Sequence, residues 1–155
     1  NRTGFNGLYR VNRANRFNVP FGRYENPVIC NEPTLRACSD ALANAELLIA
    51  DFAAVTAKAR AGDFAYFDPP YAPISATSSF TAYTSAGFGA AEQERLRDVA
   101  RDRKAAGVSV LLSNSSAPPI RDLYRDGFDV HEVSATRLVN SKVSGRGAIT
   151  ELVIK

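Results

Sequence analysis

Two consecutive prolines, Pro69 and Pro70, follow closely on the apolar run from Phe64 to Phe67. Proline lacks the N–H that a strand ladder needs and steers its predecessor away from helix, so an extended segment must stop here abruptly. The last residue before the stop is Asp68, and the first after it is Tyr71. A short buried strand therefore delivers a carboxylate and an aromatic ring to its carboxyl end, on either side of a stiff turn. An isolated Asp-Pro-Pro fits a plain turn in which the acid caps a helix. With Tyr71 added after an apolar strand, a functional site is the better reading.

The surrounding pattern says which kind of sheet such a strand belongs to. A helix is expected from Glu32 to Ala43, with Pro33 in its first turn, and a strand from Glu46 to Ile49. Asp51 is placed to cap a short helix through Val55. Residues 74–89 are rich in Ser, Thr and Gly with spaced aromatics and read as a long loop. Leu96, Val99 and Ala100 share one face of a helix over 90–106, and Gly107 is its stop. Further strands are expected at 108–114, 128–133 and 149–154, with a short helix at 121–126. This alternation predicts an α/β fold with a mainly parallel sheet, in which ligands sit beyond the carboxyl ends of the strands. Asp68 and Asn114 both fall at such ends.

Charge is unevenly spread. Residues 1–24 hold Arg2, Arg10, Arg13, Arg16 and Arg23 with no acid, within a chain of 19 basic and 16 acidic residues. The net charge of +3 thus arises in one short segment, and the remainder is slightly acidic. The arginines alternate with Phe5, Tyr9, Phe17, Phe21 and Tyr24 and with several asparagines. Arginine and asparagine pair bidentately with guanine and adenine edges, and guanidinium groups bind phosphates. A nucleic acid is the partner this mixture suits; a solvated loop with a few buried aromatics would not need to exclude acids. Cys30, Cys38 and the single His131 lack metal-ligand spacing, so no metal is expected and the thiols read as reduced. No apolar run approaches the ~20 residues needed to span a bilayer, and the expectation is a cytoplasmic monomer.

The chemistry that suits Asp68 is activation of an exocyclic amine on a flat base. Such a nitrogen has its lone pair delocalised into the ring. Two acceptors aimed at its hydrogens, an Asp68 oxygen and the Pro69 carbonyl, would draw it toward tetrahedral geometry, and more strongly as positive charge develops. The prolines keep the carbonyl aimed, and Tyr71 would stack on the base. A base held this way must leave the duplex.

The stretches "NRTGFNGLYRVN" (1–12), "FNVPFGRY" (17–24), "FDPPYAPISATSSFTAY" (67–83) and "LLSN" (111–114) together closely resemble the Dam-type DNA adenine-N6 methyltransferases. The resemblance runs along the whole chain. It implies methyl transfer from S-adenosylmethionine to adenine N6, within GATC, without metal, by a bacterial or phage-encoded enzyme. It implies a partial Rossmann-like methyltransferase sheet with an inserted target-recognition hairpin region, residues 1–27 belonging to the recognition region and 28–155 to the catalytic domain. The Trp-Ala-Gly-Gly-Lys-like opening of the family and its FxGxG loop do not occur in this sequence. The expectation is therefore the carboxyl-terminal part of such an enzyme, inactive alone.

Carried over position by position, the resemblance gives Asp68, Pro69, Pro70 and Tyr71 as catalytic, and Asp68, Asp51 and Phe52 as cofactor contacts. Leu8, Arg10 and Pro20 match residues at base edges. Phe5 and Asn6 match residues entering the stack near the extruded adenine, and Asn12, Asn18, Arg23 and Tyr24 match backbone contacts. Ser75, Thr77, Phe80 and Tyr83 are candidates to close over substrate, with a plain surface loop the alternative. Ser113 and Asn114 either support the flipped base or cap the next turn. Arg137, Lys142 and Arg146 form a second basic loop near phosphates or an ordinary solvated connection. A non-catalytic DNA-binding module, or an amino-methyltransferase for another substrate, is the rival reading.

Overall fold

The computed structural model describes residues 3–12, 14–74, 88–137 and 147–155. Arg2, Arg13, Ser75, Thr77, Phe80, Tyr83, Lys142 and Arg146 lie outside them, as do the side chains of Asn6 and Arg137. The chain divides into two units, Asn1–Leu48 and Ile49–Lys155.

In the first unit the arginine-rich segment folds back on itself. Phe5–Gly7 makes one 3-10 turn, and two isolated antiparallel bridges, Gly4 with Phe21 and Val11 with Phe17, join its limbs. The reversal is built from asparagines. Asn12 Oδ1 accepts from the backbone N–H groups of Ala14 and Arg16, and Asn15 takes a left-handed φ of 56°, a conformation that asparagine tolerates better than most residues. Helix α1 (Glu32–Ala41) starts where Asn31 Oδ1 accepts from Thr34 N and where a proline occupies the first turn. The strand expected at Glu46–Ile49 does not form. These residues are exposed and pair with no neighbour among the described residues, and apolar side chains alone cannot make a strand without a ladder.

In the second unit Asp51 caps helix α2 (Phe52–Thr56) by accepting from Ala53 N. Strand β1 (Phe64–Phe67) leads through the double proline to helix α3 (Ala90–Ala105) and strand β2 (Ser109–Ser115). Gly107 ends α3 at φ +82°, and a Cβ there would lie 2.9 Å from that of Ala61, so both backbone and space call for glycine. Helix α4 (Pro118–Leu123) begins three residues before the predicted start, because Pro118 and Pro119 sit in its first turn, where no N–H is needed. Strands β3 (Val130–Arg137) and β4 (Gly147–Ile154) complete a mixed α/β unit.

The four-stranded sheet has the order β1-β2-β4-β3. Only β1 and β2 are parallel; β4 runs antiparallel to both β2 and β3. The mainly parallel sheet expected from the alternation is thus corrected. Residues 138–146 are too few for the crossover that a parallel return requires, so β3 and β4 pair antiparallel. β1 lies at the edge of the sheet, with Phe64 and Tyr66 exposed. Leu96 and Ala100 of α3 pack into the core with Leu112, Ile120, Leu152 and Ile154.

Tyr124 lies in this core with its ring edge against Phe128, fully buried. Its hydroxyl finds no hydrogen-bond partner among the described residues, and burial pushes its pKa upward. Removing an unpaired buried hydroxyl relieves a desolvation cost, so Tyr124→Phe is expected to stabilise the fold by about 1 kcal/mol. Thermal denaturation checks this, with a higher midpoint for the variant.

Candidate active site

Strand pairing sets the site before any side chain is considered. The parallel register matches Phe64 with Ser109 and Phe67 with Leu112. Pro69 ends β1, while β2 continues to Ser115. Carried one step further, that register sets Asp68 beside Ser113 on the same face of the sheet. Ser113 Oγ donates to Asp68 Oδ1 at 3.0 Å, and Tyr66 Oη donates to Ser113 Oγ at 3.0 Å. The second carboxylate oxygen of Asp68 and the Pro69 carbonyl accept no hydrogen bond from the described residues.

The backbone after the prolines leaves the ladder and finds other partners. Pro70 O accepts from Gln93 Nε2 at 3.0 Å, Ala72 N donates to Asn114 Oδ1 at 3.1 Å, and Ala72 O accepts from Ser115 Oγ at 2.6 Å. Asn114 Nδ2 donates to Gln93 Oε1 at 3.0 Å, which closes the network. Gln93, Asn114 and Ser115 are all buried. Asn114, expected either to meet the base or to cap a turn, has its side chain committed to holding the 70–72 turn and its own successor's N–H.

A cavity of about 310 Å3 opens at this strand end, lined by Phe52, Phe88, Leu96 and the run from Tyr66 to Pro70. Its walls are aromatic and aliphatic apart from Asp68. The Phe52 and Phe88 rings lie 6.2 Å apart between centroids, and the Arg95 guanidinium sits 4.4 Å from the Phe52 ring centre. Arg95 also pairs with Asp51 and holds that carboxyl below the usual carboxylate range. Of the predicted cofactor contacts, Asp68 and Phe52 line the cavity together, while Asp51 lies beside it as cap and ion-pair partner. Tyr71 is half-buried and not among the lining residues. Burial raises its hydroxyl pKa, opposed by Ser113.

In the first unit Arg10 Nε donates to Asn18 Oδ1 at 2.9 Å and its Nη2 to Asn18 O at 3.0 Å, bringing together two predicted DNA contacts. Phe5 N donates to Pro20 O at 2.9 Å. Leu8 is half-buried, and Arg10, Asn12, Asn18, Pro20, Arg23 and Tyr24 are exposed. The Tyr24 ring covers Gly22, where a Cβ would fall 2.3 Å from the ring.

Tyr66, Phe88, Gln93 and Arg95 escaped the sequence reading. For Gln93 a signal existed. It is the uncharged member of the helical face that Leu96 and Ala100 continue at i+3 and i+7, on a helix otherwise dense in charge. Asn114→Ala is expected to destabilise the fold by about 2–4 kcal/mol, because it strands the Ala72 N–H and the Gln93 amide in a buried place. Chemical denaturation of the variant measures the loss.

Comparison with known proteins gives one consistent result. Residues 1–139 match the family described as D12 class N6 adenine-specific DNA methyltransferase. The chain is 48% identical over 155 residues to the type II methyltransferase M1.LlaDCHI of Lactococcus lactis subsp. cremoris, covering 99% of this chain and 54% of that protein. It is 39% identical to a DNA adenine methylase of Vibrio cholerae, of which it covers 55%. With the DNA N-6-adenine-methyltransferase of Escherichia phage P1 the identity is 40%, over 20% of that longer protein. The chain spans about half the length of the Lactococcus and Vibrio relatives.

Proposed function

Because the chain belongs to the D12 class N6 adenine-specific DNA methyltransferase family, we propose that the full-length protein methylates adenine N6 in double-stranded DNA, within GATC, using S-adenosylmethionine. The observation that carries this reading is the disposition of Asp68. It stands at a strand end, at the wall of an apolar cavity, with one oxygen fixed by Ser113 and the next carbonyl unclaimed among the described residues. In this reading the free Asp68 oxygen and the Pro69 carbonyl accept from the amine hydrogens, which frees the nitrogen lone pair for attack. Tyr71 stacks on the extruded base, at about 1–3 kcal/mol.

The cavity suits the nucleoside end of the cofactor. Its volume is near the low end for small-molecule sites, and two phenylalanine rings and a proline offer flat apolar surface to a heteroaromatic ring. Phe52, Phe88 and Pro70 would hold that end, with Asp68 alongside. When bound, the cofactor supplies a methyl carbon made electrophilic by its sulfonium. The chain's own residues orient the amine and keep water from it.

Residues 1–27 act as the target-recognition hairpin region and 28–155 as part of the catalytic domain, a partial Rossmann-like sheet. Arg10, Leu8 and Pro20 read base edges; Phe5 and Asn6 enter near the extruded adenine; Asn12, Asn18, Arg23 and Tyr24 hold the DNA backbone. Asn18 pre-orients the Arg10 fork, which reduces the freedom lost on binding. The protein acts as a cytoplasmic monomer. No described helix is long and apolar enough to cross a membrane.

Methyl-acceptor assays with GATC and scrambled duplexes test the assignment, with incorporation expected only for GATC. Asp68→Ala should lower the methylation rate at least ~100-fold while DNA binding persists; a retained rate would remove Asp68 from the chemistry. Arg10→Ala should relax discrimination at one base pair by about 1–3 kcal/mol, measured by competition between single-substitution duplexes. Uniform weakening across all duplexes would make Arg10 a phosphate contact.

A further inference from the structure

Asp68 is the last residue before a double proline, so no strand ladder continues beyond it to hold its backbone, and a carboxylate on a strand end has rotamer freedom of its own. One oxygen is nevertheless fixed. Ser113, a residue only 8% exposed, donates through Oγ to Asp68 Oδ1 at 3.0 Å. A serine hydroxyl has a single hydrogen and can point it in several directions. Here the Tyr66 hydroxyl, 3.0 Å away, donates to the same Oγ and occupies one of its lone pairs, while the serine hydrogen goes to the carboxylate. The three side chains stand on one face of the β1–β2 pair, at positions that the parallel register brings together. We infer that Ser113 is the positioning residue for Asp68, with Tyr66 orienting the serine in turn.

This inference rests on the reading that Asp68 grips the substrate amine, and it adds how the grip is aimed. With Oδ1 tied to Ser113, rotation of the carboxylate is restrained and the second oxygen is left to accept from the amine. Without the serine hydroxyl the carboxylate can rotate, and the acceptor aligned with the developing positive charge is populated only part of the time. Ser113 touches neither substrate nor cofactor in this scheme. Its loss should therefore slow the methyl-transfer step and leave binding in place, because misplacement of a reacting group costs rate without costing affinity.

The test uses the full-length protein, S-adenosylmethionine and a GATC duplex, in single-turnover reactions. Ser113→Ala should slow methyl transfer roughly tenfold, with the duplex Kd by anisotropy and the cofactor Kd by calorimetry unchanged within about twofold. Ser113→Thr keeps the hydroxyl, suits a strand, and should restore the rate to within about threefold of the parent. Tyr66→Phe keeps the ring in the cavity wall and should slow transfer about threefold, a readout that stands even if Ser113→Ala fails to fold. A parental rate in Ser113→Ala, a threonine variant as slow as the alanine one, or, where Ser113→Ala does not fold, a parental rate in Tyr66→Phe, would overturn the inference. Asp68→Ala separates the two levels. If it is inactive while Ser113→Ala is at the parental rate, only the positioning role fails; if it is active, the reading of Asp68 itself fails.

Discussion

The structure of the second unit turns on how a chain leaves a sheet at a double proline. Pro69 and Pro70 have no N–H to offer, and the backbone that follows must bend away from its neighbour while still close to the core. Its polar groups are met by side chains instead: Gln93 from α3 takes the Pro70 carbonyl, while Asn114 and Ser115 from β2 take the two ends of Ala72. Each of these three residues is buried, and each is satisfied chiefly by the others or by the turn. A fully satisfied buried network of this kind specifies one backbone path. The aim of the Pro69 carbonyl and the position of Asp68 are consequences of that path.

How much of this could be read in advance follows from the range of the forces involved. The stop of β1, the Asp51 cap, the body of α3 and its Gly107 end depend on neighbours within a few residues, and they formed as expected. The sheet order depends on pairing between distant segments. Nothing within 147–154 announces that it will slide between β2 and β3. Glu46–Ile49 carries strand-like residues, yet the described residues offer it no partner. The site divides the same way. Asp68 and its prolines stood out in the sequence; Ser113 was expected to support the base or cap a turn, and its tie to Asp68, like the part of Tyr66, is visible only once the register of β1 against β2 is known. Gln93 lies in between, since its helical face was legible and its contact with Pro70 was not.

The first unit makes its reversal almost without a ladder. Two single bridges, a run of backbone bonds between Thr3 and Gly22, and the Asn12 side chain hold the limbs together. Asparagines that a composition argument assigns to DNA are thus also the scaffold: Asn12 closes the turn and Asn18 grips Arg10. The two roles are compatible for Asn18, whose backbone and side-chain oxygens face the arginine and leave its amide N–H groups for another acceptor. For Asn12 the side-chain oxygen is committed, and only its amide hydrogens remain.

Among the described residues β1 pairs with β2 alone, and Phe64 and Tyr66 are exposed. A bare strand rim of this kind is a template on which another extended segment can zip up through main-chain hydrogen bonds. A segment zipped onto it would run alongside Tyr66 toward Asp68.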